Sequence, residues 1–123
     1  MRFMRISTAI LTIFAGTLPT ALAADAVRGE QLYESRCFGC HAIDANRIGP
    51  MHRGVVGRKA GSAAGFAYSP ALRGAVVIWA EETLDRWLAN PQGFIPGARM
   101  GFRVAEPADR ADIIAFLKTQ TVP

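Results

Sequence analysis

Two thiols and an imidazole stand together in Cys37-Phe38-Gly39-Cys40-His41. Covalent attachment of a c-type haem requires this pattern: two cysteines for the vinyl groups and a histidine beside the iron. The spacing has a physical reason. Two intervening residues let one short turn present both sulfurs to one edge of a porphyrin, and His41 then reaches the iron from that same side. Other chemistry uses parts of the pattern. A disulfide or thioredoxin-like redox pair is also C-x-x-C, but normally follows a strand in a βαβ unit. A structural zinc site needs four ligands, whereas the chain holds two cysteines and two histidines, Cys37, Cys40, His41 and His52, bunched at unhelpful spacing.

The start of the chain bears on these alternatives. Arg2 and Arg5 precede the apolar run Ala9-Ile10-Leu11-Thr12-Ile13-Phe14-Ala15, followed by Pro19 and Ala21-Leu22-Ala23. A positive region, a short apolar region and a small-x-small site read as a secretory leader cleaved after Ala23. The run is shorter than the ~20 residues of a spanning helix, so no stable membrane insertion is expected after cleavage. Residues 24–123 then form one domain of 100 residues. Losing Arg2 and Arg5 lowers Lys+Arg from 14 to 12 against 10 Asp+Glu, so the net charge falls from +4 to +2. With two lysines, Lys59 and Lys118, and no basic stripe, nucleic acid is not an expected partner. In an oxidising compartment a lone cysteine pair becomes a disulfide, yet one closing so small a loop is a poor staple. Thioether capture gives both thiols a better use, and a buried porphyrin supplies the apolar centre that a domain this small lacks.

Three helices are predicted to position these groups. The first runs from Asp25 to about Arg36, with Gly29 and Tyr33 on one face. The second spans Glu81 to Ala89, with acidic residues in its first turn and an apolar stripe of Leu84, Trp87 and Leu88; Asn90-Pro91 ends it. The third begins at Pro107 and continues to Thr119, with Ile113, Ile114, Phe116 and Leu117 buried and Asp109 and Asp112 placed early for the helix dipole. Residues 42–80 are rich in glycine and proline and read as loops and turns. Long loops of this kind need something to pack on.

If His41 takes one axial position on the iron, the other needs a Met or His from elsewhere or stays open to a small ligand. Met51, His52 and Met100 are the candidates. Met51 and His52 lie ten and eleven residues past His41, in the loop expected to wrap the His41 side. Met100 lies 59 residues on, in a Pro- and Gly-rich loop joining the second and third helices, a loop able to cross the opposite face.

Gly49-Pro50, Gly57-Arg58-Lys59, Gly65-Phe66-Ala67-Tyr68-Ser69, Ile78-Trp79, Glu81-Glu82-Thr83-Leu84, Asn90-Pro91 and Ile95-Pro96-Gly97-Ala98-Arg99-Met100 together resemble the class I cytochromes c, and most of all the mitochondrial cytochrome c and bacterial cytochrome c2 group. The resemblance runs in unbroken order from Gly29 to Leu117. It implies an all-α fold, the small cytochrome c fold of three main helices and long loops wrapped around one covalently bound haem c. It also implies thioether links at Cys37 and Cys40, with His41 as the proximal and Met100 as the distal iron ligand. The carbonyl of Pro50 would take a hydrogen bond from the second nitrogen of His41, fixing ring and tautomer. Tyr68 and Trp79 would donate to a buried propionate, Arg58 would offset its charge, and Phe102 would shield the haem face near Met100. Gly29 would be the close contact between first and last helices, with Tyr33 and Phe116 around it.

Some positions depart from the pattern. Trp87 stands where the family usually has a Tyr close to the Met sulfur, Leu72 where Asn is usual, and Ala98 where Thr is usual. Each trims the polar network of the distal side, so an altered potential is expected. His52 replaces an apolar residue near the proximal side and reads as a partly exposed histidine. The functional expectation is a soluble periplasmic electron carrier, not an enzyme, passing single electrons through a His/Met-ligated haem. A dedicated haem subunit of a periplasmic oxidoreductase complex is the alternative. The carrier is expected to be a monomer docking transiently with redox protein partners at the exposed haem edge. Arg36, Arg47, Lys59, Arg99 and Arg103 are candidates for a basic rim there.

Overall fold

Asp25 starts the first helix by accepting hydrogen bonds from the backbone N–H of Val27 (2.9 Å) and Arg28 (3.1 Å), the donors a helix start leaves free. The computed structural model describes residues 12–18 and 22–123, and among them five helices follow in order: α1 (Ala26–Arg36), α2 (Pro70–Arg73), α3 (Glu81–Ala89), α4 (Pro91–Phe94) and α5 (Pro107–Thr119). The fold is all-α. Its only β-type pairing among the described residues is a single antiparallel bridge between Lys59 and Ile78.

The first and last helices cross at Gly29. A Cβ there would run into the backbone carbonyl of Asp112, so only glycine lets the two backbones approach this closely. One turn further along each helix, the rings of Tyr33 and Phe116 pack at 5.3 Å between centroids. Ile113, Ile114 and Leu117 complete the buried side of α5, and Leu84 and Leu88 bring α3 to the same core.

Asp109 and Asp112 were expected to serve the helix dipole; they do more. Both are buried, and Arg28 of α1 donates to Asp109 at 2.5 Å and to Asp112 at 2.6 Å. Arg36 reaches Asp109 at 2.9 Å, and the backbone N–H of Asp25 donates to Asp112 at 2.8 Å. The hydrogen bonds from Arg28 hold the Asp109 carboxyl below its usual range; those from Asp25 N–H and then Arg28 do the same for Asp112. The crossing is thus an ionic clamp as well as a backbone contact.

The three long helices match the expected spans; residues 42–80 were expected to be loops throughout, and α2 lies within them. Ser69 accepts from Leu72 N–H and Pro70 takes the first helical position, which is enough for one turn. Asn90 ends α3 as expected, but its side chain also caps α4 by accepting from Gly93 N–H at 3.0 Å, so the chain turns through a second short helix rather than entering a loop. Of the expected leader, residues 1–11 and 19–21 lie outside the described residues. Residues 12–18 and 22–25 carry no helix, and Phe14 and Leu22 are almost fully exposed. No described helix is long and apolar enough to cross a membrane.

The clamp has a pH signature. Depressed carboxyl values mean that its contribution is present above the ordinary aspartate value of 3.8 and is lost as pH falls from there through the folded values. Replacing Arg28 with Met should raise the acid-unfolding midpoint, followed by far-ultraviolet circular dichroism; an unmoved midpoint would show that the clamp contributes nothing.

Candidate functional site

The end of α1 delivers the cysteines. Cys37 caps the helix, its N–H donating to the Tyr33 carbonyl at 2.8 Å. Its own carbonyl then accepts from the N–H groups of both Cys40 (3.0 Å) and His41 (2.9 Å), closing a tight turn. Cys37 is partly buried and Cys40 exposed, and the two are not joined in a disulfide. Burial pushes the Cys37 thiol up to about 11. A redox-active C-x-x-C pair needs the reverse, a thiol acidified by its surroundings. The zinc alternative finds no support either: no group of three or more His, Cys, Asp or Glu able to hold a metal ion occurs among the described residues.

His41 is held on several sides. Its Nδ1 donates to the Pro50 carbonyl at 2.8 Å, which fixes the tautomer and leaves Nε2 free as a ligand atom. Burial keeps the ring neutral by pulling its pKa below the usual value. Gly49 lies against the ring so closely that a Cβ there would strike Cε1, with Nε2 and Nδ1 at 2.5 and 2.6 Å. The loop that carries Gly49 and Pro50 is itself tied down: Gly49 N–H donates to the Cys40 carbonyl at 2.8 Å, and the Asn46 side chain accepts from Met51 N–H and donates to the Ala64 carbonyl, each at 2.9 Å.

His52, a candidate ligand expected to be partly exposed, is of intermediate exposure, and its ring stacks on that of His41, with centroids 4.1 Å apart and planes inclined by 19°. Its Nδ1 is hydrogen-bonded to the Tyr33 hydroxyl at 2.9 Å. Burial, then the nearby His41 and Arg58, holds the His52 ring in its neutral form.

Facing the His41 side is a cavity of about 530 Å³, within the range of cofactor sites. Cys37, Cys40, His41, His52 and Met100 all border it; Met51 does not. Met100 arrives on the loop after α4. Gln92 ties that loop down, its side-chain amide donating to the carbonyls of Ala98 and, at 3.1 Å, Met100. Val104 N–H donates to the Leu88 carbonyl at 2.9 Å and returns the chain to α3. Sequence reasoning passed over Gln92, although a glutamine one position after a helix-starting proline is within reach of the next loop. Leu72 and Ala98 are buried, and Trp87 packs on Trp79 with ring centroids 5.4 Å apart. Phe102 borders the cavity with about half its surface exposed.

Arg58, Tyr68 and Trp79 meet elsewhere on the same wall. The Arg58 guanidinium donates to the carbonyls of Met51 (2.9 Å) and Arg53 (3.2 Å), while its Nε is enclosed without a partner. Desolvation lowers its pKa, and the group still needs an anion. The Tyr68 hydroxyl accepts from Ala63 N–H at 3.0 Å and keeps its own proton to donate. An apolar cavity with two thiols at one edge, a neutral imidazole on the wall and an uncompensated cation fits a large planar cofactor bearing carboxylates. The five basic residues proposed for a rim do not act alike. Arg36 and Arg99 border the cavity, but Arg36 is paired with Asp109; Arg47 lies over the Phe38 ring at 5.1 Å. Lys59 and Arg103 are exposed.

The chain is similar to known proteins over most of its length. A family described as cytochrome c matches residues 26–121. A cytochrome c2 from Rhodomicrobium vannielii is 45% identical over 102 residues, covering 80% of this chain and 81% of that protein. A cytochrome c from Chlamydomonas reinhardtii is 42% identical over 109 residues, covering 85% and 97%. The solved structure of cytochrome cH from Methylobacterium extorquens superposes with a TM-score of 0.75 at 41% identity, covering 78% of this chain and 99% of that one. The chain belongs to the cytochrome c family. It is therefore a small electron-transfer protein carrying one covalent haem c with its iron.

Gly49 gives this geometry a direct test. Gly49→Ala should displace the His41 ring and destabilise the haem-loaded protein by about 1–3 kcal/mol, the usual cost of overpacking. Denaturant unfolding of both proteins measures it, and equal midpoints would mean that the loop yields freely.

Proposed function

We propose that this protein is an exported one-electron carrier in which His41 and Met100 hold the haem iron from opposite faces. The observation that carries this is the convergence on one cavity of His41, with Nε2 free, and Met100, on a loop held by Gln92. When bound, the haem supplies a ferric/ferrous couple, and a thioether ligand opposite an imidazole raises its potential.

The residues divide the remaining work. Cys37 and Cys40 would anchor the group through thioethers, while Pro50 fixes the His41 ring. Arg58, Tyr68 and Trp79 would hold a propionate away from water. Trp87 and Leu72 border the site, and Ala98 is buried in the loop that carries Met100, so apolar surface and one indole N–H would surround the iron on that side. Phe102, half exposed, leaves an edge of the site near solvent. With Ile48 and Arg99 also exposed at the border of the cavity, the site offers apolar surface with a basic neighbour, suited to brief docking with redox protein partners.

The periplasm is the compartment we infer. It rests on the leader pattern of residues 1–23, cleaved after Ala23 to release the domain 24–123. The exposed apolar side chains of residues 12–18 and 22 suit a segment that is not part of the packed domain.

Two substitutions test the reading. Replacing Met100 with Ala should open an axial position, so that the ferrous protein binds carbon monoxide while the wild type does not; identical behaviour would remove Met100 as ligand. Replacing Arg58 with Met removes a cation that disfavours the more positively charged oxidised state. The midpoint potential should therefore fall, and a value that is unchanged or raised would show that Arg58 does not act on the iron.

A further inference from the structure

The pair formed by Tyr33 and His52 has no part in holding the cofactor as described so far. Its geometry is specific. The His52 ring lies nearly parallel to that of His41 at 4.1 Å, whereas Tyr33 meets His52 edge-on, with ring centroids 5.6 Å apart and planes at 67°. The Tyr33 hydroxyl is bonded to His52 Nδ1 at 2.9 Å. Backbone bonds fix the rest of His52: its N–H donates to the Ala42 carbonyl at 3.1 Å, next to His41, and its carbonyl accepts from Val55 N–H at 2.9 Å. Tyr33 in turn packs on Phe116 at 5.3 Å, beside the α1–α5 crossing. An unbroken line of contacts thus runs from α5 through Tyr33 and His52 to the face of His41.

A hydroxyl and an imidazole are costly things to bury where two apolar side chains would fill the space. What they add is direction. Aliphatic groups pack against a ring in many rotations, but a hydrogen bond at one ring nitrogen fixes the rotation of His52, and a parallel stack passes that orientation to its neighbour. We propose that His52 is a positioning residue for His41, with Tyr33 as its anchor, and that the pair sets the plane of the His41 ring and shields the His41–Pro50 hydrogen bond from water. This rests on the reading of His41 as an iron ligand.

Ferric-state proton NMR of the haem-loaded protein tests the proposal, because haem methyl shifts report the plane of an axial imidazole and exchange of the His41 Nδ1 proton reports its cover. His52→Leu should move the methyl shifts and speed that exchange several-fold. Tyr33→Phe should do the same to a smaller extent, and should add nothing in the His52→Leu background, since Tyr33 acts through His52. Should His52→Leu not accumulate with haem, His52→Phe keeps a ring but no nitrogen for Tyr33, and should match Tyr33→Phe in sign and size. Wild-type shifts and exchange in these variants, a mismatch between His52→Phe and Tyr33→Phe, or a full Tyr33→Phe effect without His52 would overturn the pair's role. If they do so while the low-spin spectrum of a bound imidazole persists, this inference alone fails. A wild-type spectrum showing His41 off the iron overturns the ligation reading and the inference with it.

Discussion

Everything in this chain hangs on the contact of two backbones at Gly29. The carbonyl of Asp112 occupies the space a side chain would take, so α1 and α5 lie closer than any Cβ would allow. That proximity lets Arg28 span both Asp109 and Asp112 and brings Tyr33 onto Phe116. It also places the far end of α1, and with it the cysteine turn, relative to the rest of the core. The attachment site is thus built onto the most tightly determined part of the fold, as a precise site requires.

The two sides of the cavity are assembled by different means. On the His41 side the groups are near in sequence: a tight turn carries both thiols and the imidazole, and a short pinned loop returns Gly49, Pro50 and His52 to the ring. On the Met100 side the ligand candidate arrives from far along the chain and depends on Gln92 and on the Val104–Leu88 bond for its place. The cavity of about 530 Å³ is walled largely by apolar side chains, among them Val55, Leu72, Leu84, Leu88 and Ile113. Such a shell is therefore matched to a large apolar group that fills it, and cofactor binding and folding are coupled in the same way as in small metal domains.

The limits of sequence reading follow the range of the interactions involved. Periodicity and capping residues specify α1, α3 and α5 locally, and their spans could be read from Asp25, Pro107 and the Asn90-Pro91 stop. The single turns of α2 and α4 carry no periodicity, and only the side chains of Ser69 and Asn90 mark them. Cys37, Cys40 and His41 were legible because their chemistry is contained in five residues. The remaining site residues needed the family resemblance, since nothing near Arg58, Tyr68 or Trp79 says that they share a wall. The stacking of His52 and the tie made by Gln92 were not legible for a related reason. The value of each lies in a partner distant in sequence, Tyr33 for one and the Met100 loop for the other, and a single sequence does not display such pairs.

Long loops on so small a domain would be a liability if their backbone groups were left to water. Here polar side chains take the place of a sheet. Asn46 bridges two loops, Arg58 binds the carbonyls of Met51 and Arg53, and Gln92 binds that of Met100. Arg110 does the same for Val104 and Ala105 while pairing with Asp85 at 2.6 Å. Such bonds give backbone groups of the loops a fixed partner within the protein. A shell fixed in this way has little freedom to rearrange when the charge at its centre changes by one, and that rigidity is what an electron carrier requires.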